Sequence, residues 1–381
     1  MKLETYLYTN TKWNKELNPD LDSKNTLVII LASSNIEILQ TPLADLTQKF
    51  PHSILIGASS SGEIFQNELY DESLSVAVMK FEKTELKHNV CQVTSPETSY
   101  EDGVKIATAL CGEKDLKGVF ILSEGLNVNG SQLTEGLSSI MKPNIPITGG
   151  LAGDGDKFEN TWIIFDGKLQ TNHICAVGFY GDSVHMESSS KGGWDSIGLR
   201  RVITKSKNNV LYELDGKPAL EIYKKYLGDK ASDLPASGLL FPLELKETPD
   251  STESKIRTIL GVNEEDCSIT FAGDLPEGHV VTLMKANFSR LVNGAGEAAE
   301  ELNLEAYKGQ DILSIAISCV GRRLVLKSQT EEELDAVLDI LPPNTQQIGF
   351  YSYGEISPLA SGKCDLHNQT MTLTLIWEDD A

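Results

Sequence analysis

Residues 56–64 read IGASSSGEI and residues 348–356 read IGFYSYGEI, so Ile, Gly, Ser, Gly, Glu and Ile recur at identical spacing near both ends of the chain. Each copy continues an apolar run into a turn. Glycine tolerates φ > 0 and lets other backbone approach closely, while a glutamate one step later offers acceptors to nearby amides. Two readings follow for Glu63 and Glu355: they face a shared ligand cleft, or each ties down its own loop. The repetition itself predicts an internal duplication, two related α/β halves facing one another.

Outward from the first copy, TLVIILAS (26–33) and SILIGAS are continuous apolar runs of the kind covered on both faces. IEILQTPLADLTQKF between them has helical spacing, interrupted by Pro42. LSVAVMKF and ELKHNVCQV read as a hairpin. SYEDGVKIATALCG, GVFILSE and SQLTEGLSSIMK continue as helix, strand, helix, the last capped by Asn129 or Ser131. The Asp-Gly at 166–167 is a hairpin signal between Thr161–Phe165 and a strand from His173 to Tyr180. A helix opens at Pro218. Later come DILSIAISCVGRRLVLK as a strand and its continuation, EEELDAVLDIL as a helix, and MTLTLIWE as a closing strand. Alternation of this kind predicts a mixed α/β class with mixed sheets packed around a ligand cleft.

The 381 residues carry 33 basic and 55 acidic side chains, a formal charge of -22. That field repels phosphate backbones and anionic lipid, which argues against nucleic-acid or membrane partners. MKLETYLYTNTKWNKEL lacks the apolar centre of a signal peptide, and the six scattered cysteines form no Cys-x-x-Cys pair, so a cytoplasmic protein with reduced thiols is expected. All six arginines (200, 201, 257, 290, 322, 323) fall after residue 199. The two adjacent pairs suit either internal ion pairing or an anionic ligand.

No catalytic signature emerges. The spacing in GASSSG misses a hydrolase elbow by one residue. GGLAGDG is not a dinucleotide fingerprint, and Asp154, Asp156 and Glu159 lack the rest of a calcium loop. That loop reads as a shaped backbone turn. Cys319 is the remaining candidate nucleophile, with no histidine at a defined spacing. The expectation is a protein that is not an enzyme.

Taken in order, IGASSSGEI, ITGGLAGDGDKFENTWIIFDG, AVGFYGD, ELDGKPALEIYKKYLG, FPLEL, SCVGRRLVL and GFYSYGEISPLASGKCDLHNQTMTLTL resemble the FIST proteins, a bacterial sensory module of paired domains. The resemblance runs from about residue 27 to 365. It implies a lead-in at 1–26, an N-like domain at 27–217, a C-like domain at 218–365, and a strand and tail at 366–381. It further implies a ligand sensor that reports through a separate protein. Stand-alone members resemble nitric-oxide-sensing haemoproteins, which implies haem b and regulation of a partner histidine kinase or of cyclic-di-GMP signalling.

For haem, His173 is the first choice of axial ligand, because NHICAVGFY as a strand aligns it with Cys175, Val177 and Phe179 on one face. His185 is second, and His367 reads as structural. Arg200, Arg201, Arg322 or Arg323 would meet the propionates. The alternative is a haem-free sensor of an amino acid or other small carboxylate, held by Glu63, Glu355, Arg322 and Asp154.

Overall fold

The chain folds into three copies of one strand–helix–strand unit, plus a fourth sheet inserted in the last. A computed structural model describes residues 1–112 and 115–379. In the first unit Thr26–Ser33 runs parallel to Ile54–Ser60, with helix α1 (Ile36–Lys49) between them. Leu74–Lys80 pairs antiparallel on the far side of Thr26–Ser33, and Lys2–Thr9 pairs beyond it. The second unit repeats the order. Helix α2 (Ser99–Cys111) leads in, Leu116–Ser123 lies parallel to Ile147–Leu151 across α3 (Gly130–Ile140), and His173–Tyr180 then Glu85–Gln92 complete the sheet. In the third, Ile312–Cys319 lies parallel to Thr345–Ser352, followed by Met371–Glu378 and Val184–Lys191.

Between its second parallel strand and its returning strand, every unit sends out a hairpin, and the hairpin joins another unit's sheet. Glu63–Phe65 of the first pairs with Thr345–Ser352 of the third, setting Ile64 opposite Gly349. Gly354–Pro358 of the third pairs with Ile147–Leu151 of the second, setting Ile356 opposite Gly149. Ile163–Phe165 of the second pairs with Ile54–Ser60 of the first, setting Ile164 opposite Gly57. The exchange closes a ring. The mixed α/β class expected from the sequence is present, and the repetition suggested by the two Gly-Glu turns extends to a third unit.

The three glycines share one structural reason. An added Cβ at Gly57, Gly149 or Gly349 would lie 2.3, 1.8 or 2.0 Å from the carbonyl oxygen of Ile30, Ile121 or Ala316 on the parallel neighbour. Gly149 also has φ +150°. Gly149→Ala is expected to cost about 1–3 kcal/mol or more through overpacking. Gly261→Ala, with nothing within 4 Å of the added methyl, should stay within about 0.5 kcal/mol. Urea denaturation of the two variants checks this.

Inward side chains of all three sheets meet in one apolar core that includes Ile29, Leu31, Phe120, Leu122, Cys175, Val177, Phe179, Ile315 and Ile317. The outward faces are covered by α1 on the first sheet and by α2 and α3 on the second; α5 (Phe288–Glu300) and α7 (Thr330–Leu338) cover the third. Helix α1 starts because the Asn35 side chain accepts from the Glu37 amide at 3.1 Å, satisfying one of the first-turn donors. It runs through Pro42, which is buried on the same face as Leu39 and Leu46.

Residues 195–285 build the inserted eight-stranded sheet, with α4 (Ala219–Leu227) against it and a core of its own. Strands on both sides of residue 217 share this sheet, Asp195–Lys207 with Val280–Lys285 for example.

Three local expectations change. LSVAVMKF and ELKHNVCQV are both strands, but they belong to different sheets and do not pair, since each is drawn to the core of its own unit. Asp166 and Gly167, at φ 49° and 71°, make a two-residue turn to the short strand Lys168–Gln170, not to His173–Tyr180. After Cys319 the chain becomes helix α6 (Val320–Leu326) and not more strand.

Candidate ligand-binding site

The parallel pair of the first unit ends at Ser33 and Ser60, and beyond those ends opens a cavity of about 820 Å³. This is where the carboxyl ends of parallel strands leave room for ligands in layered α/β sheets. All three units contribute. The first supplies Ser33, Ser34 and Asn35 at the start of α1, with Ser60, Ser61 and Glu63 from the Gly-Glu turn. The second supplies the loop Asp154–Asn160, and the third supplies α6 with Arg323 and Lys327.

Arg323 spans the cavity's wall. Its guanidinium donates to the Ser61 carbonyl and to Asp71 Oδ2 at 2.6 Å, joining the third unit to the first. Asp154 builds the opposite loop: its carboxylate accepts from the amides of Phe158, Glu159 and Asn160 at 3.0, 2.9 and 2.8 Å, and from the Tyr353 hydroxyl. The Tyr353 ring stacks on Phe158 with centroids 4.5 Å apart. Ser61 Oγ accepts from the Gly155 amide at 2.9 Å. The rim therefore mixes cations, from Arg323, Lys157 and Lys327, with acids from Asp71, Glu72, Asp156 and Glu159.

Both turn glutamates tie down their own segments. Glu63 accepts from the amide and hydroxyl of Ser73 at 3.1 and 2.9 Å, just before the returning strand of its unit. Glu355 accepts from the amide and hydroxyl of Thr370 at 3.1 and 2.8 Å, at the matching place, and from Ser352 Oγ at 2.9 Å. Burial pushes each carboxyl up to about 8, against the pull of those hydrogen bonds. Glu63 also lines the cavity.

Of the residues singled out from the sequence, Glu63, Asp154, Asp156, Glu159 and Arg323 meet at this cavity. The groups named for haem do not converge. His173 is at a strand end with Nδ1 2.6 Å from the Thr171 carbonyl. Cys175, Val177 and Phe179, aligned with it, point into the packed central core at 0 % exposure, leaving that face no room for a porphyrin. His185 stacks on Trp377 and bonds Asp379 at 3.1 Å. Arg200 is exposed on the inserted sheet, and Arg201 beside it pairs with Asp215 at 2.8 Å.

Arg322 is enclosed in an ion pair with Glu333 and holds no ligand group. These residues do not fit haem. His367 bonds the Ser357 carbonyl at 3.1 Å, as a structural histidine would. The Cys319 thiol is buried and pushed far above its usual range, unsuited to thiolate chemistry. No group of three or more His, Cys, Asp or Glu side chains able to hold a metal occurs among the described residues. No helix among them is long and apolar enough to cross a membrane.

The sequence reading missed Ser33, Ser34, Asn35, Ser60 and Ser61. For Ser33, Ser34 and Asn35 the signal was present in LASSNIEIL, where an apolar strand ends in small polar residues that also cap a helix.

Family models for the FIST N domain and the FIST C domain match residues 26–217 and 219–358. The uncharacterized protein MJ1623 of Methanocaldococcus jannaschii is 23% identical, over 99% of this chain and 78% of its own length. A chorismatase crystal structure aligns over 99% of this chain and 98% of its own at 8% identity, with a TM-score of 0.35. A cyanuric acid hydrolase from A. caulinodans aligns over 78% of this chain and 100% of its own at 11% identity, with a TM-score of 0.19. Structural likenesses that loose carry no argument.

Proposed function

Because the chain belongs to the FIST family, with its N and C domains both present, we propose that it is a signalling sensor whose cavity takes a small amino-acid-like metabolite. The observation that carries this reading is the mixed charge of one cavity assembled from all three units. A ligand carboxylate is matched by the serine hydroxyls, Arg323 and Lys327. A ligand ammonium is matched by Asp71, Asp156 and Glu159. Because the walls come from three units, occupancy changes how they sit together, and that is the signal a partner such as a histidine kinase or a cyclic-di-GMP enzyme would read. The protein acts by binding, with no reaction assigned to it. Haem and nitric oxide are set aside in favour of this reading, since the side chains named for haem serve other contacts.

Thermal denaturation against a panel of amino acids and small carboxylates tests the proposal. A ligand at a hundred times its Kd stabilises by about 2.7 kcal/mol, a rise of several degrees. Arg323→Ala is expected to weaken that ligand on the order of tenfold to a hundredfold, the worth of a charged hydrogen bond. If no member of the panel shifts the transition while reconstitution with haem yields a Soret band, the haem-free reading is overturned.

A further inference from the structure

A second cleft, of about 610 Å³, lies between the inserted sheet on one side and α3 with the strand Cys364–His367 on the other. It shares no lining residue with the first cavity. At its floor is Arg257, 2% exposed. Its Nε donates to the Asp274 carbonyl at 3.0 Å, and its Nη1 to the carbonyls of Ile256 and Leu366 at 3.2 and 3.1 Å. Nη2 has no hydrogen-bond partner among the described residues, and Arg257 lines the cleft.

No carboxylate forms an ion pair with this guanidinium among the described residues. The two acids that act on it through space, Asp365 and Asp274, are held by other donors. Asp365 is paired with Lys255, and Asp274 accepts from Asn129 Nδ2 at 2.9 Å and Gln132 Nε2 at 2.8 Å. Gly273 makes the arrangement possible, because a Cβ there would lie 2.9 Å from Arg257 Nε and 3.0 Å from its Cζ. A buried cation whose hydrogen bonds go only to carbonyls is costly, and the cost falls when an anion reaches it.

We propose that this cleft is an anion site for a small organic monocarboxylate, one of whose oxygens accepts from Arg257 Nη2. Lys255 and Lys363 favour a negative charge, whereas Glu135, Glu247, Glu253, Asp274 and Asp365 in the same lining disfavour polyanions. A bound carboxylate would join the inserted sheet to the second unit, since Arg257 belongs to the former and α3 to the latter.

The test uses the full chain and 4-bromobenzoate. Calorimetric titration at constant ionic strength is expected to show saturable binding that chloride does not reproduce. Arg257→Lys should weaken it at least tenfold, and Lys363→Glu, on the exposed rim, about threefold. Arg323→Ala should leave it unchanged, which separates this site from the first cavity. Should Arg257→Lys fail to fold, bromine anomalous scattering from a soaked crystal decides: a peak between Arg257 and α3 supports the site. Absence of saturable binding, a peak elsewhere, or equal affinity in Arg257→Lys overturns it.

Discussion

Arg322→Met is expected to destabilise the protein by about 3–5 kcal/mol, because it strands a buried carboxylate. Arg322 and Glu333 are both 0% exposed. Arg322 Nε and Nη2 reach Glu333 Oε2 at 2.9 and 2.6 Å, and Nη2 also donates to the Leu291 carbonyl at 2.8 Å. Glu333 Oε1 accepts from Ser318 Oγ at 2.9 Å and from the Tyr351 hydroxyl at 2.6 Å. Removing either partner leaves the other charged, dry and only partly bonded. Removing both, as in Arg322→Met with Glu333→Leu, leaves no orphan charge, so the double variant should recover most of the loss. Chemical denaturation of the four proteins gives the cycle directly. A double variant no better than the sum of the singles would show that the pair is not the unit that matters. Arg323→Ala, by contrast, leaves no buried charge behind: it removes a partly exposed pair with Asp71 and the hydrogen bond to the Ser61 carbonyl, and should cost about 1–3 kcal/mol.

The contrast between these two neighbours shows what the sequence could and could not reveal. Consecutive residues on a helix point about 100° apart. Since α6 was read as a continued strand, nothing indicated that Arg322 would turn inward to Glu333 and Arg323 outward to the cavity. The apolar runs TLVIILAS and SILIGAS were legible because a strand covered on both faces needs an uninterrupted run. Both glycine–glutamate turns were legible because Gly57 to Ile64 and Gly349 to Ile356 span the same number of residues. The third turn was hidden. There the stretch from Gly149 to Ile164 is longer by the whole Asp154 loop, and Ile163 stands in the register position that Glu63 and Glu355 occupy. Hairpin exchange was equally hidden, since it depends on which sheet edge lies nearby and leaves no local mark. His173, the first choice of haem ligand, was inferred from one strand's alternation. That alternation was right about Cys175, Val177 and Phe179 sharing a face, but the face belongs to the central core.

Glu63→Gln and Glu355→Gln are expected to be close to neutral at pH 5 and stabilising at pH 9. Each carboxyl is held near 8 in the folded protein by burial, above its ordinary value of 4.5. A raised carboxyl favours the folded state fully only below the unfolded value. As pH rises from about 4.5, the unfolded chain releases its proton while the folded chain retains it, and the contribution declines until the folded group also ionises near 8. At about 1.4 kcal/mol per unit, each site is worth on the order of 5 kcal/mol across that window. Glutamine keeps the shape and the neutral charge of the protonated acid, so each variant should remove its own share of the decline, and the two should add. Urea denaturation at pH 5, 7 and 9 measures the difference from wild type at each pH. The twins should then part company in ligand binding. Glu63 borders the cavity, so its replacement should also alter the affinity of the sensed ligand, whereas the Glu355 side chain bonds only Ser352 and Thr370 among the described residues, and its replacement should not. A stability difference that stays constant with pH would mean that the two carboxyls are ionised in the folded protein, and that the ring of exchanged hairpins is held by charge and not by neutral hydrogen bonds.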